Sequence, residues 1–196
     1  MKTNIILSGV GGQGILTIAA VLDTAALHQN LYVKQSEVHG MSQRGGAVES
    51  HVRISDNEIF SDLIPKGTAD LILSVEPMEL LRYIPYLKKN GWLITDSHPF
   101  INISDYPEKK ELYEKIKSYS NHIIINATDI AKKIGNSKAA NMVLLGAATA
   151  LIPLTEENLL VAIKNLFQHK SGRIINLNLE AFKAGKKIAK DYNFAY

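Results

Sequence analysis

The sequence contains no cysteine. A disulfide, a cysteine-ligated zinc and a cysteine-ligated iron–sulfur cluster are therefore excluded for this chain on its own. If it takes part in electron transfer, a partner carries the metal. Arginine is also scarce: only Arg44, Arg53, Arg82 and Arg173 stand among the 22 basic residues, and the rest are lysine. The clustered arginines and interleaved aromatics of a nucleic-acid binder are missing, so the net charge of +3 reads as lysines on a solvated surface. The purely apolar runs are too short for a transmembrane helix. The start, Met1-Lys2-Thr3-Asn4, leads into only a short apolar stretch interrupted by glycine and glutamine, unlike a secretory signal. A cytoplasmic chain is expected, with neither nucleic acid nor membrane among its partners. What is present is ordinary globular composition: 46% apolar and 21% charged residues over 196 positions, enough for one domain with a core.

Along the chain, strands alternate with helices. Residues 3–8 read as a buried strand, followed at once by Gly9-Val10-Gly11-Gly12-Gln13-Gly14 and then by a helix over Ile15–Gln29. Leu31–Val33 reads as a second short strand. This strand, glycine turn, helix and strand open an α/β fold. Residues 36–46 have neither helical nor strand period and read as a loop. Residues 47–54 alternate, with Val48, Ser50, Val52 and Ile54 on one face and Ala47, Glu49, His51 and Arg53 on the other. Ser55-Asp56-Asn57 reads as a turn and Glu58–Phe60 as the return strand of a hairpin, which predicts a mixed sheet. Further strands are expected at Asp70–Val75, Gly91–Thr95 and Ile123–Asn126. Helices are expected from Glu76-Pro77, over Lys109–Ser120, from a Thr128 cap to Gly135, over 138–151, from Thr155, and over Ile175–Lys190. The lysines of the last helix read as a solvated face.

Gly9, Gly11 and Gly14 fit G-x-G-x-x-G in the required context of strand before and helix after. Glycine allows a tight turn and close approach of a ligand, and the free N–H groups of the helix start favour an anion. Gln13 adds a side-chain amide. The bland alternative is that these glycines serve packing alone. An NAD site further demands an acidic residue about 20 positions on. Here Val33-Lys34-Gln35 stands at that point, which weakens NAD and would better tolerate a phosphorylated ribose. A freestanding NADP- or nucleotide-binding Rossmann-like protein therefore stays open as a reading.

Ser42, Gln43, Arg44, Gly45 and Gly46 combine hydrogen-bond donors with flexible backbone. In a lysine-rich chain, Arg44 and Arg53 suggest a planar fork that grips phosphate or carboxylate. His39 and His51 flank the loop without metal-site spacing, so no metal is expected. No nucleophile elbow and no catalytic set emerges.

The segments Gly9–Gly14 and Lys34-Gln35-Ser36-Glu37-Val38-His39-Gly40-Met41-Ser42-Gln43-Arg44-Gly45-Gly46 together resemble the gamma-type subunit of the 2-oxoacid:ferredoxin oxidoreductases. The longer motif is most similar to the branch acting on indolepyruvate. Ser50–Ile54, Leu63-Ile64-Pro65 and Lys138–Gly146 fit the same family, so the resemblance covers about residues 4 to 165. It implies a Rossmann-like, three-layer α/β/α domain with a mixed sheet, here a single gamma-type domain over 1–196. It implies a large partner subunit that holds thiamine diphosphate and [4Fe-4S] clusters and passes electrons to ferredoxin. Such an enzyme oxidatively decarboxylates indolepyruvate and other arylpyruvates and gives the acyl group to coenzyme A. This chain would then be the smaller, cluster-free subunit, inactive alone. Carried over residue by residue, Gly11, Gly12, Gln13 and Gly14 would form the anion site. Ser42 to Gly46 would face coenzyme A or the partner. Asn141, in an otherwise apolar helix, must find hydrogen-bond partners or cost about 1–3 kcal/mol. It is either a structural hydrogen bond or a tie between that helix and the site.

Overall fold

The computed structural model describes residues 1–40, 45–190 and 192. Six strands, β1 (Lys2–Val10), β2 (Tyr32–His39), β3 (Ala47–Ser55), β4 (Ala69–Ser74), β5 (Leu87–Asp96) and β6 (His122–Ile125), form one sheet. Their order is β2-β3-β1-β4-β5-β6. β1, β4, β5 and β6 run parallel, while β3 runs antiparallel to both of its neighbours, β1 and β2. The mixed α/β sheet expected from the sequence is therefore present.

Among the described residues, seven α-helices accompany the sheet: α1 (Ile15–His28), α2 (Pro77–Arg82), α3 (Lys109–Lys117), α4 (Ala127–Ile134), α5 (Ala140–Ala148), α6 (Glu156–Leu166) and α7 (Gly172–Ala189). Strand alternation sends Ile5, Leu7, Val52, Leu71 and Leu73 to one face, where they meet buried residues of α1, α4, α5, α6 and α7. Ile6, Ile72 and Leu93 go to the other face, against Leu80, Tyr83 and Ile116 of the α2–α3 side. Every residue of α5 is buried, because the helix lies between the sheet and α7. The close approach needs glycine on both helices. A Cβ on Gly146 would stand 1.9 Å from the Phe182 carbonyl oxygen, and one on Gly185 1.8 Å from that of Val143.

Three local expectations change. β2 does not end at Val33 but continues through Gln35, Ser36, Glu37, Val38 and His39, each paired to β3 from Val52 down to Val48. The hairpin is thus β2–β3, and the segment 36–39 is strand, not loop. Glu58–Phe60 forms no strand. Ser55 Oγ accepts from the Asn57 amide at 3.0 Å as the chain leaves the sheet. Arg53 then holds the departing segment through the carbonyls of Ser61 at 2.6 Å and Leu63 at 3.0 Å. Thr128 does not cap α4; it lies inside it, after Asn126. Its hydroxyl and amide turn instead to Asp96.

Candidate functional site

β1 is buried from Thr3 to Val10 and delivers the chain to the edge of the sheet at Gly11. The turn is tied to itself. The Val10 amide donates to Gln13 Oε1 at 2.8 Å, and the Gln13 amide to the Val10 carbonyl at 3.1 Å. Gln13 therefore braces the turn with its oxygen. Gly14 precedes α1 in the left-handed region, φ 79°. A side chain there would be strained, and its Cβ would lie 2.4 Å from Asn141 Nδ2. That nitrogen donates to the Gly14 carbonyl at 3.0 Å, and Asn141 Oδ1 accepts from the Met142 amide at 2.9 Å. Asn141 is thus both a satisfied buried amide and the tie between α5 and the turn.

The start of α1 carries no side-chain cap. The amides of Gly12, Gly14, Ile15 and Leu16 have no acceptor among the described residues. These are the groups an anion would meet, supported by the dipole of a 14-residue helix. Gly11 is different: its amide donates to the Gly46 carbonyl at 2.8 Å, and its carbonyl accepts from the Gly45 amide at 3.4 Å. The structure so brings Gly45 and Gly46 onto the glycine turn. Ser42, Gln43 and Arg44 lie outside the described residues. The 97–106 segment also reaches this point, where Asn102 Nδ2 donates to the Gly45 carbonyl at 2.6 Å.

Two cavities flank the turn and share Gly12, Gly14 and Thr17. One of about 320 Å³ is lined by Val10, Ile15, Leu16, His39 and Val48. The other, about 700 Å³, is lined by Lys138, Lys170 and Arg173 together with Asn136, Asn178 and apolar residues of α7. Folding gathers these cations from segments far from the glycine motif. Nothing in their spacing announces the cavity.

Two buried carboxylates at the same edge of the sheet also escaped sequence reasoning. Glu76 Oε2 accepts from the Glu79 amide at 2.8 Å and caps α2, while Oε1 accepts from the Phe100 amide and the Tyr106 hydroxyl. Burial pushes the Glu76 carboxyl above the usual range, and these hydrogen bonds oppose the shift. Asp96, at the end of β5, accepts from the amides of Ala127 and Thr128 at 3.1 Å and so caps α4 from a distance in sequence. Burial raises it as well, against the pull of Thr128 and His98. Its position just after an apolar strand was the available signal.

His51 Nδ1 accepts from the Ile64 amide at 2.9 Å, and the ring meets Tyr86 edge-on. His39 pairs with Glu37. Among the described residues no three His, Asp or Glu side chains are grouped to hold a metal ion. Nor is any helix among them long and apolar enough to cross a membrane. The dinucleotide reading meets a topological obstacle. In that fold the second strand lies beside the first, so that its end meets the ribose. Here the antiparallel β3 separates β2 from β1, and Lys34 pairs with Arg53.

Comparison with known proteins shows where this sequence and fold recur. The family model described as pyruvate ferredoxin/flavodoxin oxidoreductase matches residues 4–188. The chain is 39% identical over 198 residues to the indolepyruvate oxidoreductase subunit IorB of Pyrococcus horikoshii, covering 96% of each. The solved gamma subunit of a keto/oxoacid ferredoxin oxidoreductase from Geobacter sulfurreducens superposes with a TM-score of 0.71. It is 27% identical, with 97% of this chain and 99% of that chain covered. The fold also matches, at a TM-score of 0.79 and 22% identity, 99% of this chain to 32% of a chain of 2-oxoglutarate:ferredoxin oxidoreductase from Magnetococcus marinus. That enzyme was solved with 2-oxoglutarate, coenzyme A and succinyl-CoA bound.

Proposed function

The chain belongs to the pyruvate ferredoxin/flavodoxin oxidoreductase family, and from that premise we propose that it is the smaller subunit of an indolepyruvate:ferredoxin oxidoreductase. It is a single gamma-type domain over 1–196 and works in the cytoplasm. The observation that carries this reading is the uncapped glycine turn, with Gly45 and Gly46 bonded to it, in a chain similar to IorB over almost its full length. Its substrates are indolepyruvate and other arylpyruvates, and its acyl acceptor is coenzyme A.

A large partner subunit supplies the thiamine diphosphate and [4Fe-4S] clusters that decarboxylate the 2-oxoacid and pass electrons to ferredoxin. The absence of cysteine supports that division, because this chain has no thiolate with which to hold a cluster. This chain's part is to bind and orient the acceptor. The amides of Gly12 and Gly14, with the start of α1 and Gln13, offer donors to its phosphates. Gly11 holds Gly45 and Gly46, and the segment Ser42, Gln43, Arg44, Gly45 and Gly46 is assigned to the acceptor or to the partner. Leu16, Val38, Phe100, Ile101 and Ile103 are exposed apolar residues around this edge of the sheet, which suits a covered interface.

Anaerobic purification of the tagged chain from its own cells tests the proposal. A brown complex with a larger subunit is expected, reducing dye with indolepyruvate only when coenzyme A is present. A colourless chain without partner or activity would overturn it.

A further inference from the structure

The two edges of the sheet are built differently. β6, at one edge, is only four residues long, and so short an edge offers little to another strand. β2, at the other edge, pairs with β3 without a break from Tyr32 to His39 and has no strand on its outer side among the described residues. The usual protections of an edge are scarce over these eight residues. There is no proline and no bulge, and Lys34 is the one lysine. β2 therefore presents a long, even row of backbone donors and acceptors. Its outward face is also apolar at both ends. Val33 packs against the core on the α1 side, so alternation turns Tyr32, Lys34, Ser36 and Val38 to the opposite face. There Tyr32 is 52% exposed and Val38 53%. Arg53, which pairs with Lys34, holds the carbonyls of Ser61 and Leu63 on this same face, and that segment adds the exposed Phe60 and Leu63 to it.

We infer that β2 pairs antiparallel with β2 of a second copy of this chain, which joins two sheets into one across a twofold axis. The strand's own sequence selects the register. A twofold axis normal to the sheet sets one residue opposite itself and its neighbours opposite each other in reverse order. With Lys34 or Glu37 on the axis, like charges would stand directly opposed, which destabilises a pair of strands. With Ser36 on the axis, Tyr32 would face Gly40, and Lys34 would face Val38. With Gln35 on the axis, Tyr32 of each copy meets Val38 of the other, Lys34 meets Ser36, and Val33 meets Glu37. This register opposes no like charges. It alone sets the two exposed apolar side chains of β2 on each other, an aromatic against a β-branched residue. Tyr32 and Val38 stand equally far to either side of Gln35, so the edge is complementary to itself, and a second copy is the occupant that this symmetry fits. The inference does not rest on the proposed acceptor role.

The test uses the full chain and the purified two-subunit complex. Sedimentation at micromolar concentration should find two copies of this chain in each. Because the chain has no cysteine of its own, introduced ones read the register. Tyr32→Cys and Val38→Cys chains, co-expressed and oxidised, should give a disulfide-linked product of twice the chain mass. Neither variant alone should give it, because the two like positions then lie about 20 Å apart along the strands. Tyr32→Lys, a change at an exposed position, should raise the dissociation constant of the pair at least ten-fold. Val38→Lys should act in the same direction, which covers a failure of Tyr32→Lys to fold. A single copy in both the chain and the complex would overturn the inference. So would two copies that survive both lysine variants and give no cross-link, since the copies would then meet elsewhere. A cross-link from either cysteine to the larger subunit instead would show that this subunit covers β2, and would overturn it as well.

Discussion

β1 and β5 end at the same edge of one sheet, yet they treat the helix start that each one meets in opposite ways. Asp96, at the end of β5, places a buried carboxylate on the first amides of α4. Glu76, just beyond β4, does the same for α2. β1 delivers only Gly11 to Gly14, and α1 begins with its amides bare. A side-chain cap stabilises a helix by about 1 kcal/mol, so an open start forgoes that much. The difference teaches where a ligand belongs. The fold supplies its own anion at two helix starts and withholds it at the third, beside two cavities.

The comparison breaks most visibly through Asp96→Ala and Gly14→Ala. Asp96 accepts from Ala127, Thr128 twice, and His98, all partly or fully buried. Its removal should cost about 3 kcal/mol in denaturant unfolding, because those donors lose their acceptor together. Gly14→Ala should cost a similar amount, about 2–4 kcal/mol, from the left-handed backbone and the clash with Asn141. Equal stability of the variants and the wild type would mean that these helix starts are not built as described.

Glu76→Gln should cost less, about 1–2 kcal/mol. The new amide can still accept from Tyr106 and Phe100 on its oxygen but loses the Glu79 amide. Faster hydrogen exchange of α2 and of residues 97–106 is the expected readout. Unaltered protection would show that Glu76 does not hold them.

The smallest effect concerns Asp23, on α1 itself. Its Oδ1 is buried without a hydrogen-bond partner among the described residues, and burial pushes its carboxyl up to about 6. The folded state therefore holds this proton more tightly than the unfolded chain. The sign follows: its ionisation opposes folding, and stability is lost as pH rises from about 4 through 6. Asp23→Asn should match the wild type near pH 4 and exceed it above pH 7. The gain should be on the order of 1 kcal/mol, discounted for the solvent reaching the other oxygen. A difference independent of pH would contradict this.

Much of the fold was legible because burial and periodicity coincide in β1, α1, β4 and β6, and because α5 is apolar throughout. β2 was misread beyond Val33 because Gln35 to His39 are mostly polar. An edge strand needs no apolar alternation when pairing to β3 alone holds it. Glu58–Phe60 follows a turn and reads as a return strand, but Arg53 and His51 capture the chain elsewhere. The glycine turn was legible from its strand and helix context. Its wider site was not, since Asp96 meets Thr128, and Lys138 and Arg173 come to line one cavity, only after folding. Thr128 read as a cap by residue type, whereas its hydroxyl serves a carboxylate 32 positions away.

The most direct measurement is an equilibrium titration of coenzyme A into the purified two-subunit complex, wild type against Gly12→Asp. A Cβ at Gly12 meets nothing within 4 Å, so this change gives α1 a carboxylate of its own without crowding the turn. Its positive φ of 100° costs about 1–3 kcal/mol, so the comparison is made on the assembled, folded complex. The predicted result is an assembled complex whose affinity for coenzyme A falls at least ten-fold. An assembled Gly12→Asp complex that binds coenzyme A as the wild type does would contradict the claim that the open start of α1 is the acceptor's anion site.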